Sequence, residues 1–297
     1  MALKTGFIGL GAMGSGMAAA LIRAGIPLIV HDRDTRKLAA LRDLGADVGS
    51  SPAEVASRCE RTICMVETTS QVQDVLFGAS GLVEGAQSGH RIACMSTIDP
   101  AAVRRMYSEL AMRDIALVDA PVSGGTERAR NGKLTIFTGG DAAAVDVFAD
   151  CFRAMAEHVF HMGGIAQGMV IKLINNMLMQ VTSVAVAEAM ALAAKAGLDL
   201  QSVVDVIRVS TGNSVAFEMR GPRIVSRDFR PGGTLDISYK DQELVTAFAK
   251  ELGVPIFLAN VSQQVYQMGR GMGHAKDDAS SLIHVYEVLA GMSPSVA

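Results

Sequence analysis

The 297-residue chain contains no tryptophan, few aromatic residues (5%) and no large excess of charge of either sign. Its 27 Lys and Arg against 30 Asp and Glu residues give a formal net charge of −3, and the basic residues form no long run. Electrostatic binding of nucleic acid needs clustered Lys and Arg, so we expect no nucleic-acid partner. At 49% hydrophobic residues the chain is also too apolar to be disordered.

Cysteine is scarce as well. Four cysteines in a chain of this length do not make a disulfide framework, and none of them form a CxxC pair. The nearest approach to a metal site is the pair His158 and His161, whereas zinc requires three or four ligands. We therefore predict reduced thiols, no bound metal and a cytoplasmic location.

Long hydrophobic runs are missing too. Residues 5–22 are uncharged but include five glycines, which suit a membrane helix poorly. Residues 173–187 are uncharged but contain three amide side chains, and they fall short of the ~20 apolar residues that span a bilayer. The sequence therefore predicts no membrane span.

What the chain does contain differs between its two halves. Up to residue 163, short apolar runs alternate with helical patterns, and the candidate strands are Phe7–Ile8, Leu28–His31, Thr62–Val66, Ile92–Met95, Ala116–Asp119 and Leu134–Thr138. This alternation predicts an α/β domain of the Rossmann type over residues 1–163, with a doubly wound parallel sheet.

Residues 164–297 predict an all-α domain. Met169–Ala196 has 28 residues without Gly or Pro, enough for an interdomain helix of about 42 Å. Further helical patterns cover Leu200–Ser210, Ser238–Leu252, Pro255–Met268 and Asp277–Ala290. The apolar stripe along the long helix fits either a contact with a second subunit or a core within the domain.

A glycine motif, Gly9-Leu10-Gly11-Ala12-Met13-Gly14, follows the first strand and precedes a helix, the setting in which GxGxxG binds a dinucleotide. Asp32 ends the next strand 18 residues later and is placed to bind the ribose hydroxyls of NAD. Arg33 follows it and is able to pair with the 2′-phosphate of NADP, so NAD is preferred and NADP stays possible. Met65, Val66 and Thr97 follow later strands, at the sheet edge where ligands of such sheets bind.

Two other groups of residues have chemical potential. Ser123-Gly124-Gly125 follows a strand and offers a hydroxyl beside exposed backbone N–H groups, which suits a carboxylate or serves only as a turn. Lys172 and Asn176 stand one turn apart on one helix face, which suits either a cleft in which the lysine acts as acid or base, or a pair of surface residues. Lys240-Asp241, in a charged stretch, is expected to be a solvated face.

Together these segments resemble the β-hydroxyacid dehydrogenases, the family of 3-hydroxyisobutyrate dehydrogenase and tartronate semialdehyde reductase. The likeness runs in order along nearly the whole chain, through GFIGLGAMGSGMA (6–18), DAPVSGGTERARNGKLTIFTGG (119–140), AQGMVIKLINN (166–176) and Lys240-Asp241. The resemblance implies hydride transfer between a nicotinamide and a small β-hydroxy acid or its semialdehyde. From the stripe on the long helix we expect a homodimer or homotetramer.

The resemblance also implies roles for single residues. Lys172 is the general acid or base and Asn176 its partner on the reacting oxygen. The loop Ser123-Gly124-Gly125 binds the substrate carboxylate, Lys240 reaches the nicotinamide side and the substrate, and Met65, Val66 and Thr97 line the cofactor. The chain departs from the family at Ala166 (usually Gly), Glu67 (usually Pro) and Gln242 (usually Leu). Ala166 is expected to tighten the turn before the helix.

Two other interpretations stay open. An imine reductase shares the architecture but generally lacks a lysine at the position of Lys172. A non-catalytic nicotinamide-binding module needs no proton donor, so Lys172 and Asn176 argue against it as well.

Overall fold

Six strands form one parallel sheet in the computed structural model of the chain, which describes residues 3–292. They are β1 (Thr5–Ile8), β2 (Leu28–His31), β3 (Asp47–Val48), β4 (Arg61–Cys64), β5 (Arg91–Cys94) and β6 (Ala116–Asp119). Their order across the sheet is β3-β2-β1-β4-β5-β6, the order of dinucleotide-binding sheets. The predicted Rossmann-type fold class is confirmed, and β3 is a strand that the sequence analysis missed.

The strands are buried on both faces, as the apolar runs predicted. Phe7 belongs to one hydrophobic core, whereas its neighbour Ile8 belongs to the other. Ile63 and Cys64 divide between the same two cores. Because successive side chains of a strand point to opposite faces, the sheet is the shared wall of two cores.

The described residues of the first half contain nine α-helices, the first six of which connect these strands. They are α1 (Gly14–Arg23), α2 (Leu38–Asp43), α3 (Pro52–Ser57), α4 (Thr69–Phe77), α5 (Leu82–Gly85), α6 (Pro100–Ala111), α7 (Gly125–Arg130), α8 (Ala142–Asp146) and α9 (Ala149–Met155). A second, three-stranded sheet has the order β7-β8-β9, with β7 (Val122–Ser123), β8 (Leu134–Thr138) and β9 (Ala156–His161). The sequence predicted β8 but not its two short neighbours.

The second half is helical, as predicted. Its helices are α10 (Gln167–Lys195), α11 (Leu200–Arg208), α12 (Val215–Val225), α13 (Leu235–Leu252), α14 (Phe257–Gly269) and α15 (Ile283–Leu289). Helix α12 was not predicted, because Pro222 lies inside it and interrupts the helical pattern. Helix α15 begins six residues later than the predicted Asp277, since Ala279–Leu282 forms a separate 3₁₀ turn.

The chain divides into two compact units, and the division falls between Lys172 and Leu173. Helix α10 contains both of these residues and therefore links the units. The predicted domain boundary at 163/164 precedes the helix and remains a prediction. By length and composition alone α10 is able to cross a membrane, but its Met169 and Met190 are fully buried in hydrophobic cores.

The buried histidine of the first unit makes folding sensitive to acid. Burial lowers the pKa of His90 to about 4, and its Nε2 lies 3.0 Å from Oγ1 of Thr62. In the unfolded chain the His90 imidazole has its ordinary pKa near 6.5, so as the pH falls it binds a proton earlier than in the folded chain. We expect the free energy of unfolding to drop by about 2 kcal/mol between pH 7.5 and pH 5 through this residue alone. Urea unfolding of the wild type and of His90→Gln at both pH values measures this loss, and equal losses in the two proteins would contradict the assignment.

Candidate active site

The glycine motif has the geometry that pyrophosphate binding requires. Gly9 has φ +97°, and a Cβ there would lie 2.2 Å from the carbonyl oxygen of Met65. Gly14 is as tight, because its Cβ would lie 2.0 Å from the carbonyl oxygen of Gly9. Gly11 is exposed and would contact nothing within 4 Å, so the backbone there is open to a ligand. Gly9 therefore serves the tight turn, Gly14 the close packing of helix and strand, and Gly11 the approach of the ligand.

Helix α1 begins at Gly14, and no side chain caps its N-terminus. Uncapped N–H groups and the helix dipole together favour a phosphate at this point. The residues present thus fit a dinucleotide, with Leu10, Ala12 and Met13 completing the turn.

Asp32 is fixed beside this turn. Its Oδ2 accepts a hydrogen bond of 2.7 Å from the N–H of Leu10, and its Oδ1 accepts one of 2.8 Å from the N–H of Asp34. Lys37 Nζ lies 3.4 Å from the same carboxylate, whereas Arg33 is exposed. The side chain of Asp34 is engaged by Arg36, whose hydrogen bond lowers the pKa of the Asp34 carboxyl.

Residues at the ends of β4 and β5 lie next to the glycine turn. Met65 donates its N–H to the carbonyl oxygen of Ile8 (2.8 Å), and Val66 donates its own to Ser96 Oγ (2.8 Å). Met65, Val66 and Thr97 are all half-buried, so each keeps some surface for a ligand. The neighbouring Glu67, where the family usually has Pro, is exposed and donates its N–H to Oε1 of Gln71 at the start of α4.

The loop Ser123-Gly124-Gly125 joins β7 to α7 and stays accessible. Gly124 and Gly125 have φ values of +134° and +75° and are exposed, while Ser123 is half-buried. These positive φ values favour glycine, and the lack of a Cβ at both positions leaves the backbone there open to a ligand.

Lys172 and Asn176 lie one turn apart on α10 and are only 8% and 5% exposed. The interpretation of these two as surface residues is therefore wrong. The amine and the amide therefore share one helix face and are both shielded from bulk solvent.

Asp241, expected on a solvated face, is instead 4% exposed. Its Oδ2 accepts a hydrogen bond of 2.7 Å from Nδ2 of Asn176, and its Oδ1 lies 3.0 Å from Nζ of Lys240. Both partners belong to the second unit, like Asp241 itself. The solvated-face expectation is wrong because helix α13 turns this position toward α10. Next to it, Gln242 is also buried and donates to Ser262 Oγ at 3.4 Å.

A carboxylate that the sequence analysis treated only as a strand end is also buried. Asp119, the last residue of β6, is fully buried and accepts hydrogen bonds of 2.7 Å from the N–H groups of Ala166 and Met169. Burial raises the pKa of its carboxyl, although these N–H donors act in the opposite direction. The only sequence signal for a role of Asp119 was its place as the first residue of the family motif at 119–140.

Ala166, where the family usually has Gly, adopts φ +71°, a left-handed conformation that favours glycine. Such a conformation costs an alanine about 1–2 kcal/mol. Its methyl group is fully buried in a core cluster, and this burial stabilises the fold by just under about 1 kcal/mol. The departure is therefore tolerated at a small net cost.

Two family models cover nearly all of the chain. Residues 4–164 match the NAD binding domain of 6-phosphogluconate dehydrogenase, and residues 166–286 match the NAD-binding domain of NADP-dependent 3-hydroxyisobutyrate dehydrogenase. The chain belongs to the 3-hydroxyisobutyrate dehydrogenase family. This confirms the predicted family, its oxidoreductase class and its use of a nicotinamide cofactor.

Relatives in this family match over most of their length. The chain is 36% identical to the L-threonate dehydrogenase of Cupriavidus necator, over 96% of this chain and 97% of that one. It is 34% identical to the mitochondrial 3-hydroxyisobutyrate dehydrogenase of Mus musculus, over 95% and 87%. A crystal structure of 3-hydroxyisobutyrate dehydrogenase from Salmonella typhimurium superposes with a TM-score of 0.87 at 33% identity, covering 95% of this chain and 99% of that one.

The imine reductases share the fold only. That of a Pseudomonas species has a TM-score of 0.62 at 20% identity, over 96% of this chain and 99% of that one. Its likeness carries no information about the reaction.

Proposed function

We propose that this chain is an NAD-dependent dehydrogenase that interconverts a small β-hydroxy acid and its semialdehyde, with Lys172 carrying the proton. The observation that carries the proposal is the burial of Lys172 and Asn176 one turn apart on α10. When bound, the nicotinamide accepts or supplies the hydride.

Each hydride transfer is accompanied by the transfer of one proton through Lys172. In the direction of oxidation, neutral Lys172 Nζ takes the proton of the substrate hydroxyl as the C–H bond breaks and the C=O bond forms. In the direction of reduction the ammonium returns this proton to the carbonyl oxygen, where negative charge develops. Asn176 supports the reacting oxygen through its amide, which the bond to Asp241 holds in one orientation.

The substrate class follows from the loop and from the relatives. The exposed N–H groups around Gly124 and Gly125, with the Ser123 hydroxyl, suit a carboxylate. Relatives are named for L-threonate, 3-hydroxyisobutyrate and 2-(hydroxymethyl)glutarate, all of which are hydroxy acids. Steady-state kinetics on these acids, with both cofactors, tests the proposal. Activity confined to imines, or to neutral alcohols, would contradict it.

NAD is the preferred cofactor, because Asp32 places a carboxylate beside the glycine turn and repels a 2′-phosphate. Asp32→Asn keeps the size of the side chain and removes its charge. We expect it to raise the ratio of kcat/KM for NADPH to that for NADH at least tenfold, or about 1.4 kcal/mol. Asp47→Asn, an exposed carboxylate on β3, is the control and should leave the ratio unchanged. A wild type that prefers NADPH would show that Arg33 decides instead.

The same proposal covers the assembly and the location. We place the chain in the cytoplasm, since all four cysteines are free thiols. Ile174, Leu178 and Leu192 are 44%, 61% and 72% exposed along α10, which supports a homodimer or homotetramer with this stripe at a subunit interface. Sedimentation equilibrium tests it, and a monomer at all concentrations would contradict it.

A further inference from the structure

The carboxylate of Asp119 is surrounded by backbone N–H groups. Its Oδ1 accepts the N–H of Ala166 and its Oδ2 that of Met169, each at 2.7 Å. The backbone of Asp119 itself is bonded in both directions to Gly139, beside β8 (3.0 and 2.8 Å). One residue therefore links the end of β6, the end of β8 and the first turn of α10.

Two glycines pack closely against this carboxylate. A Cβ on Gly139 would lie 2.5 Å from Oδ1 of Asp119, and a Cβ on Gly168 would lie 2.9 Å from its Oδ2. Real Cβ atoms do not come this close, so both glycines are needed for the approach. Ala166, for its part, is held in a left-handed conformation from which its N–H reaches Asp119.

Asp119 is connected to both groups that the proposed reaction uses, through the chain to the loop and through hydrogen bonds to the start of α10. The loop that begins at Ser123 is four residues further along the chain from Asp119, after Pro121. Lys172 is three residues beyond Met169 on α10, about 4.5 Å further along the helix axis. All of these residues belong to the first unit.

We propose that Asp119 is a positioning residue, which fixes the distance between the carboxylate-binding loop and the ammonium of Lys172 by bonding the first turn of α10 to the end of β6. This inference rests on the proposed function, since it matters for catalysis only if Lys172 carries the proton. Proton transfer depends on near-contact geometry, so a shift of about 1 Å is able to cost up to 10²-fold in rate.

Asp119→Asn tests the inference. The amide keeps the shape but has one acceptor oxygen, so either the N–H of Ala166 or that of Met169 loses its partner. We expect kcat to fall at least tenfold, while the Kd of NADH, measured by fluorescence titration, stays within twofold. Asp141→Asn is the matched control, because Asp141 also caps a helix, α8, through the N–H of Ala143 (2.8 Å). It should leave kcat within twofold of the wild type, and both variants are assayed well below their melting temperatures.

Several outcomes overturn the inference. A folded Asp119→Asn with kcat within twofold of the wild type shows that Asp119 does not position Lys172. A rise in the NADH Kd as large as the fall in kcat shows general disruption instead. If the variant does not fold, hydrogen exchange on the wild type decides: the Ala166 and Met169 amides must exchange as slowly as the core of β6. If Lys172→Ala retains its turnover, the proposed function fails. If Lys172→Ala loses its turnover but Asp119→Asn retains it, only this inference is contradicted.

Discussion

Replacing Lys172 by alanine is expected to lower kcat at least ~10²-fold, the scale on which a general acid–base group contributes. The Kd of NADH should change little, because the glycine motif and Asp32 bind the cofactor without this side chain. Stopped-flow or steady-state turnover with the best hydroxy acid, together with an NADH titration, measures both quantities. In the variant, the pH dependence of kcat that arises from the lysine should disappear.

Lys195→Ala is the control for this experiment. Lys195 is the last residue of the same helix, is exposed and donates from Nζ to the carbonyl oxygen of Ala290. Its replacement changes the charge of α10 equally and should leave kcat unaffected. Turnover that survives in Lys172→Ala would show that another group moves the proton, and would remove the main support for the proposed mechanism.

Replacing Asp278 by asparagine is expected to lower the free energy of unfolding by about 3–5 kcal/mol. Asp278 is fully buried, and both of its oxygens accept hydrogen bonds from Nη1 of Arg220, at 2.7 and 2.8 Å. Burial alone would raise the pKa of Asp278, but the charge of Arg220 and the Ser280 bonds lower it overall. Removing the carboxylate leaves the Arg220 guanidinium, 3% exposed, without its counter-charge.

Asp228→Asn provides the comparison. Asp228 pairs with Arg230 at 2.8 Å, where water and salt screen the bridge, so we expect its loss to change the free energy of unfolding much less. Urea unfolding followed by tyrosine fluorescence suits both variants, because the chain has no Trp and three of its four Tyr belong to the second unit. Equal losses in the two variants would contradict a stabilising role for the buried pair.

Local signals explain why the first half was predictable. The strands Leu28–His31, Ala116–Asp119 and Leu134–Thr138 have the predicted bounds. Their apolar runs are bounded by turn residues, so neighbours in the sequence were enough to define them. In contrast, β9 was missed, since five of its six residues are exposed and no apolar pattern marks them.

The site was predictable to the extent that its residues sit in motifs. The glycine turn, Asp32 and the Ser-Gly-Gly loop follow from spacing and from the end of a strand. For Lys172 and Asn176 the spacing left a surface position and a chemical role equally open, and the family resemblance favoured the second. Their burial then excluded the surface position, because burial depends on the helices that pack against α10.

Sequence alone determined the alternation of strands and helices in the first half, the dinucleotide turn and the family, since each depends on runs and motifs of residues close together in the chain. Tertiary structure decided which carboxylates are buried and what they bind. Asp119 meets Ala166 across 47 residues, and Asp241 meets Asn176 across 65. Such contacts arise only when distant elements pack together, because the charge of an aspartate says nothing by itself about whether water or backbone N–H groups will surround it.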